Sequence, residues 1–194
     1  MLGCASLRLL AAWDNGGVSA SDPDLHHVLL VGGTEAEWAC TGDGEWEARL
    51  AALGAAAERA GARWLTLRPF GSRQPAGAAQ IAPRRHVVGR CTVTADPTAD
   101  GRVRFVNAVE ALRTAGRPID EQSIDAVLND PAEVDPDLAV VLGTPDRLPP
   151  SLVWELAYSE FVFLPITWRE VTADHLGDAI ASYAHRHRRF GGVD

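Results

Sequence analysis

A single α/β domain, with a central, mostly parallel sheet flanked by helices, is what this sequence predicts, and three observations carry it. Short apolar runs ending at glycine or proline alternate with stretches of helical periodicity, the pattern of successive βαβ units. Two of those runs, His27-Val28-Leu29-Leu30-Val31 and Asp137-Leu138-Ala139-Val140-Val141-Leu142, are almost continuously apolar, as strands buried on both faces are. The 194 residues, 46% of them hydrophobic, suffice for one core and are too few for two comfortable ones.

Each element has its own signal. Residues 1–24 stand apart as an N-terminal helical or flexible segment, where Leu7, Leu9, Leu10 and Trp13 would form a short amphipathic helix before the break at Asp14-Asn15-Gly16-Gly17. Residues 25–194 make up the domain. Its first strand, 27–31, ends at Gly32-Gly33. Over 45–62, Trp46, Leu50, Leu53 and Ala57 recur at helical steps and put one apolar face on the sheet, with Gly61 closing the helix. A second strand over 63–67 is stopped by Pro69. A loop follows from 71 to 77, and 85–88 with 91–94 reads as a third strand interrupted by Gly89. Residues 102–106 read as a further strand leading into a helix at 109–115, and 137–142 as a buried strand. After Pro149-Pro150 the pattern predicts a helix from Ser151 to about Tyr158, then a strand at 161–164. A last helix starts at about Thr172 and carries Leu176, Ile180 and Tyr183 on one face.

Charge and composition exclude several functions. A formal net charge of −8 argues against non-specific nucleic-acid binding, which needs a basic surface. The local exception is His185-Arg186-His187-Arg188-Arg189, whose plain reading is the solvated cationic end of a helix. Cys4, Cys40 and Cys91 are odd in number and lack CxxC spacing, so neither a disulfide framework nor a zinc site is expected, and a reducing cytoplasm fits. No run of eighteen apolar residues is present, so any membrane association is expected to be peripheral. The six histidines make no metal set.

Motifs in the C-terminal part fall in a definite order: Asp137-Leu138-Ala139-Val140-Val141, Arg147-Leu148, Leu152-Val153-Trp154-Glu155-Leu156-Ala157-Tyr158-Ser159-Glu160, Trp168, and Arg188-Arg189-Phe190-Gly191-Gly192. This order resembles the C-terminal half of the cis-prenyltransferases, the undecaprenyl diphosphate synthase family. The strand at 27–31 with Trp38-Ala39, and Trp64-Leu65-Thr66-Leu67 with Phe70, resemble the family's first two strands. The middle, roughly 72–136, aligns poorly and is too short for the helices that wall the hydrophobic product tunnel of chain-elongating members.

The resemblance implies a cis-prenyltransferase-like fold and an electrostatic chemistry. In the family an Asp after the first strand anchors the Mg²⁺-bound allylic diphosphate, and arginines grip isopentenyl diphosphate. Here Gly33 stands where the Asp belongs, and Thr34, Glu35, Ala36 and Glu37 replace a Gly-Asn-Gly-Arg cradle. A carboxylate about 5 Å from one diphosphate charge opposes it by roughly 3 kcal/mol at an effective dielectric near 20. A backbone nest at Gly32-Gly33 is the one remaining anion-binding reading of that loop. At the second substrate site the strand continues Val141-Leu142-Gly143-Thr144-Pro145, leaving Arg147 as the surviving arginine, and Pro149-Pro150 replaces a Ser-Asn pair.

What is retained implies a partner. Family enzymes are dimers in which a C-terminal Arg-x-Gly reaches the other subunit's active site. Arg189 and Gly191 match that motif and are expected to contact diphosphate in trans. Glu160 matches a family residue that assists the metal, but lacks its companion Asp. It and Arg147 are kept as residual substrate-site residues. Trp154, Tyr158, Phe161 and Phe163 are expected at the dimer interface.

The expectation is therefore a non-catalytic accessory subunit of a heterodimeric cis-prenyltransferase, resembling the Nogo-B receptor type. It has no catalytic residue, metal or cofactor of its own, and Mg²⁺ sits in the partner's active site. A homodimer is the competing assembly. Alternatives are a stand-alone short-chain prenyl diphosphate transferase, with Arg68, Arg73, Arg84 and Arg85 as candidate diphosphate grips, and a non-enzymatic binding module on the same fold.

Overall fold

The computed structural model describes residues 25–71, 81–144, 148–152, 154–155 and 159–190, with side chains as far as Arg186. Its six strands are β1 (His27–Val31), β2 (Trp64–Arg68), β3 (Arg84–Val88), β4 (Cys91–Ala95), β5 (Leu138–Leu142) and β6 (Glu160–Leu164). They form one sheet in the order β3-β4-β2-β1-β5-β6. All neighbours are parallel except the β3–β4 pair. The predicted α/β class is therefore what the chain adopts. The helices are α1 (Glu35–Ala39), α2 (Asp43–Arg59), α3 (Gly101–Thr114), α4 (Glu121–Leu128) and α5 (Ala173–Phe190).

Because strand side chains alternate, the sheet has two unlike faces. Val28, Leu30, Leu65, Leu67, Val93, Leu138, Val140 and Val162 point to one of them, where Trp46, Leu50 and Leu53 of α2 and Leu176 and Ile180 of α5 complete the main core. Gly61, at φ +91°, ends α2 as expected, while Ala62 donates back to Ala57 O. The other face is divided. At β1, β5 and β6 it is apolar, with Leu29, Val31, Ala139 and Val141 beneath Leu152 and half-buried Phe161 and Phe163. Toward β2 and β4 it carries Thr66, Arg68, Thr94 and, just past the strand, Asp96. Helices α3 and α4 pack together through Ala108, Leu112, Ile124 and Leu128, with Trp154 against them.

Three sequence expectations are corrected and one helix is added. The segment 85–94 is a hairpin of two strands, not one interrupted strand: Gly89 takes φ +54°, and the register pairs Val88 with Cys91. Residues 102–106 are helical. Asp100 caps α3 by accepting from Arg102 N, and the buried set Arg104, Ala108 and Leu112 has a helical spacing. The apolar Val103, Phe105 and Val106 that suggested a strand are exposed. Helix α4, capped by Asp120 and absent from the sequence reading, completes the pair. Finally, the helix expected from Ser151 begins as a 3-10 turn at Pro150–Leu152, closed by Leu152 N to Pro149 O. Two successive prolines withhold backbone donors there, which disfavours a regular first turn.

Candidate functional site

In a parallel sheet, ligand chemistry gathers at the carboxyl ends of the strands. The loop after β1 is the place where the sequence comparison set Gly33 against an acidic residue. Gly33 takes φ +73°, a conformation that side-chain-bearing residues rarely adopt. A Cβ built on it would stand 2.7 Å from Trp168 Cγ and 3.0 Å from Trp38 Nε1. Those two indoles form a buried cluster with Trp46, the ring centroids 4.9–5.6 Å apart. Trp38 Nε1 donates to Gly32 O, and the Arg49 guanidinium lies 4.5 Å from the Trp168 ring centroid.

Several donors of this loop are already used. Thr34 N and Thr34 Oγ1 donate to Glu37 Oε2, Glu37 N donates to Thr34 Oγ1, and Gly32 N donates to Arg68 O. Thr34-x-x-Glu37 is thus a capping box that starts α1. Glycine supplies no aspartate-like anchor, the indoles pack against the place of its absent side chain, and Glu37 takes the Thr34 amide and hydroxyl that a nest would offer. Glu37 serves as a cap rather than as a charge facing a ligand.

At the ends of β2 and β4 lies a buried ion-pair network that the sequence reading did not find. Arg68, 1% exposed, donates through Nη1 to Glu155 Oε1, itself 1% exposed. Arg104 Nη1 reaches the same oxygen at 3.0 Å, Arg104 Nη2 donates to Leu128 O at 2.8 Å, and Arg104 Nε lies 3.3 Å from Asp96 Oδ2. Arg68 Nε approaches that Asp96 oxygen at 3.7 Å. Burial would raise the Glu155 carboxyl, but Arg68 and Arg104 outweigh it and hold the group below the usual carboxylate range. Burial, then the like charge of Arg104, lowers the Arg68 guanidinium to about 10, which leaves it charged at neutral pH. The only sequence signal was the odd placement of an Arg at the end of an apolar strand.

Beside this network, His27 is fully buried, its ring bonded to Val134 O and Thr66 Oγ1, both at 2.9 Å. Desolvation lowers it to about 4, so it is neutral at physiological pH.

The other predicted site residues divide as follows. Arg147, Tyr158 and Gly191 lie outside the described residues, as does Arg73; Arg189 falls in α5, beyond the last described side chain. Glu160 opens β6 and pairs with Arg186 Nη1 at 3.4 Å. Phe161 and Phe163 stack at 6.4 Å on the edge strand β6, half-buried and on the divided face. Trp154 belongs to a different cluster and is half-buried: it packs on Phe105 at 5.7 Å, and its Nε1 donates to Asp125 Oδ1. Of the candidate diphosphate grips, Arg68 is committed to Glu155 and Arg84 to Asp43.

These residues do not fit the magnesium site of the family. Gly33 brings no carboxylate, Glu160 pairs with Arg186, and among the described residues no three His, Cys, Asp or Glu side chains converge as metal ligands.

Comparison with known proteins agrees with the motif order. Residues 92–191 match the prenyltransferase family model described as "Putative undecaprenyl diphosphate synthase". "Isoprenyl transferase 2" of Bradyrhizobium diazoefficiens is 44% identical over 75 residues, 39% of this chain and 30% of that one. The "Isoprenyl transferase" of Halalkalibacterium halodurans is 37% identical over 95 residues, 44% of this chain and 37% of that one. The matched stretch thus spans only about a third of these relatives. Among solved structures, lavandulyl diphosphate synthase from Lavandula x intermedia, in complex with dimethylallyl diphosphate, superposes with a TM-score of 0.55 at 18% identity, covering 82% of this chain and 94% of that one. A "probable undecaprenyl diphosphate synthase" from Campylobacter jejuni gives 0.55 at 14% identity, covering 84% and 97%. These two likenesses speak to the fold; the family model covers just over half of the 194 residues, and the chain belongs to the undecaprenyl diphosphate synthase family of cis-prenyltransferases.

Proposed function

We propose that this chain is a non-catalytic subunit of a heterodimeric cis-prenyltransferase, which pairs with a catalytic partner and completes that partner's Mg²⁺-dependent diphosphate site with Arg189 and Gly191. The observation that carries the reading is Gly33, at φ +73° with no side chain, at the position where the resemblance expects the Asp that anchors the allylic diphosphate. The sheet face under α3 supports it: Thr66, Arg68 and Asp96, cross-braced by Arg104 and Glu155, offer no apolar wall for a growing prenyl chain. The apolar patch at Phe161 and Phe163 on an edge strand supplies a surface for the partner. No described helix is long and apolar enough to cross a membrane, so contact with lipid would come through the complex.

Co-expression with catalytic homologues from the same genome tests this. A stable heterodimer is expected, with partner activity lost when the chain is truncated after Arg186. Absence of co-purification, or full activity with the truncated chain, overturns it. A second reading, a stand-alone transferase, is favoured by the names of the curated relatives. Pyrophosphate release by the pure chain from allylic and isopentenyl diphosphates with Mg²⁺ would decide for it.

A further inference from the structure

We infer that the cleft between the β3–β4 hairpin and the α3–α4 pair binds a small monoanionic carboxylate with a short apolar body, gripped by Arg85 and Thr94. This site is separate from the loop after β1 and does not depend on the accessory-subunit reading. The cleft encloses about 500 Å³, within the range of small-molecule sites, and Arg85, Thr94, Arg104, Asn107, Val127 and Leu128 are among its lining residues.

Charge decides the ligand. Three arginines line the cleft, and two are already neutralised. Arg84 Nη2 donates to Asp43 Oδ1 at 2.6 Å, with its guanidinium over the Trp46 ring. Arg104 is held by Glu155, Asp96 and Leu128 O. Arg85 makes no ion pair and no hydrogen bond among the described residues. The register sets it directly opposite Thr94 in the antiparallel pair, so the two side chains leave the sheet on the same face, within reach of one small group. Thr94 Oγ1 is buried there with no hydrogen-bond partner among the described residues. A carboxylate set between them would accept from the guanidinium and from the hydroxyl, satisfying both.

The same lining opposes a diphosphate. Asp96 and Asp130 also border the cleft, so one uncompensated positive charge meets two carboxylates, one of them engaged with arginines. A single negative charge finds one guanidinium to pair with, and any further charge finds none and faces Asp130. Beyond the polar end, Ala108, Val127 and Leu128 form an apolar wall that suits a few methylene groups.

NMR titration of the full chain with butyrate, acetate and pyrophosphate tests the site. Butyrate is expected to shift the amide signals of Arg85, Thr94 and Leu128 saturably, with acetate weaker. Arg85→Gln should weaken butyrate by about tenfold or more, the loss of one charge-assisted hydrogen bond. Arg85 is exposed on an edge strand, so the variant should fold; if it does not, Ala111→Phe, which obstructs the cleft from an exposed position on α3, should give the same loss. The inference is overturned if butyrate causes no saturable shift, if the folded variant binds it as the parent does, or if pyrophosphate binds those residues more tightly than butyrate.

Discussion

Trp168 lies across the backbone of Gly33, so close that a Cβ built on that glycine would stand 2.7 Å from the indole Cγ. The two residues are far apart in sequence, and their contact changes what the loop after β1 can do. Glycine brings no carboxylate to this turn, and a side chain added there would meet the indole at a positive φ.

Putting the carboxylate back should therefore fail. Gly33→Asp forces an Asp to φ +73° against two buried indoles, and the strained backbone alone is worth about 1–3 kcal/mol. The variant is expected to have a lower thermal midpoint and to gain no binding of an allylic diphosphate with Mg²⁺ in calorimetry. Gly33→Asp combined with Trp168→Ala should lose less stability than the sum of the single changes, because the clash is shared.

Glu155 Oε1 accepts from both Arg68 and Arg104 and is 1% exposed, whereas Asp96, the other carboxylate paired with both, stands farther off and partly exposed. Glu155→Ala leaves two buried guanidinium groups without their main counter-charge and should destabilise the protein by about 3–5 kcal/mol in urea unfolding. Replacing the whole set, with Arg68→Met, Glu155→Leu and Arg104→Met together, should cost much less than the single change, since desolvation of the charges disappears with them. Because the folded carboxyl lies below its ordinary value, the stability it contributes is full above about pH 4.3 and is lost as pH falls through its folded value.

How far the sequence disclosed the molecule follows from the same residues. Strands β1 and β5 were legible because continuous apolar runs are unambiguous, and α5 because Leu176, Ile180 and Tyr183 keep helical spacing. Helix α3 was misread because its exposed face carries Val103, Phe105 and Val106, whereas a buried Arg104 marks its inner face. The loop at Gly33 stands out in the sequence because glycine occupies the place where the resemblance expects an Asp. What fills it was invisible, since Trp38 and Trp168 meet only through the tertiary fold. Charges such as Arg68 and Glu155 are read as surface residues by default, and only their mutual neutralisation explains their burial.

His27 predicts a pH dependence with a definite sign. Folded, the ring titrates at about 4 because it is desolvated; unfolded, it returns to about 6.5. Between those values the unfolded chain binds the extra proton, so stability is complete above about pH 6.5 and declines as pH falls toward 4. The difference amounts to about 3 kcal/mol. Urea midpoints measured from pH 7 to pH 5 should fall steadily for the parent chain. His27→Gln, which keeps a polar group near Thr66, should be less stable at pH 7 but lose much less on acidification. Parallel slopes for the two proteins would show that this ring is not the origin.

Phe161 and Phe163 give the last prediction. They stack on β6, the edge of the described sheet, and remain half-buried while the strand's other face meets the main core through Val162. Aromatic side chains at the centre of an interface commonly carry about 2 kcal/mol or more of its affinity. Phe161→Gln, which removes one ring of the pair and keeps β6 intact, should lower the affinity for the catalytic partner at least tenfold, with fold stability reduced by about 1–2 kcal/mol. Sedimentation velocity of the mixture and of each chain alone separates the outcomes. A heterodimer that dissociates on Phe161→Gln is the expected result. A complex unaffected by it would place the interface elsewhere, and a parent chain that self-associates through the same residue would make a second copy the natural occupant of this face.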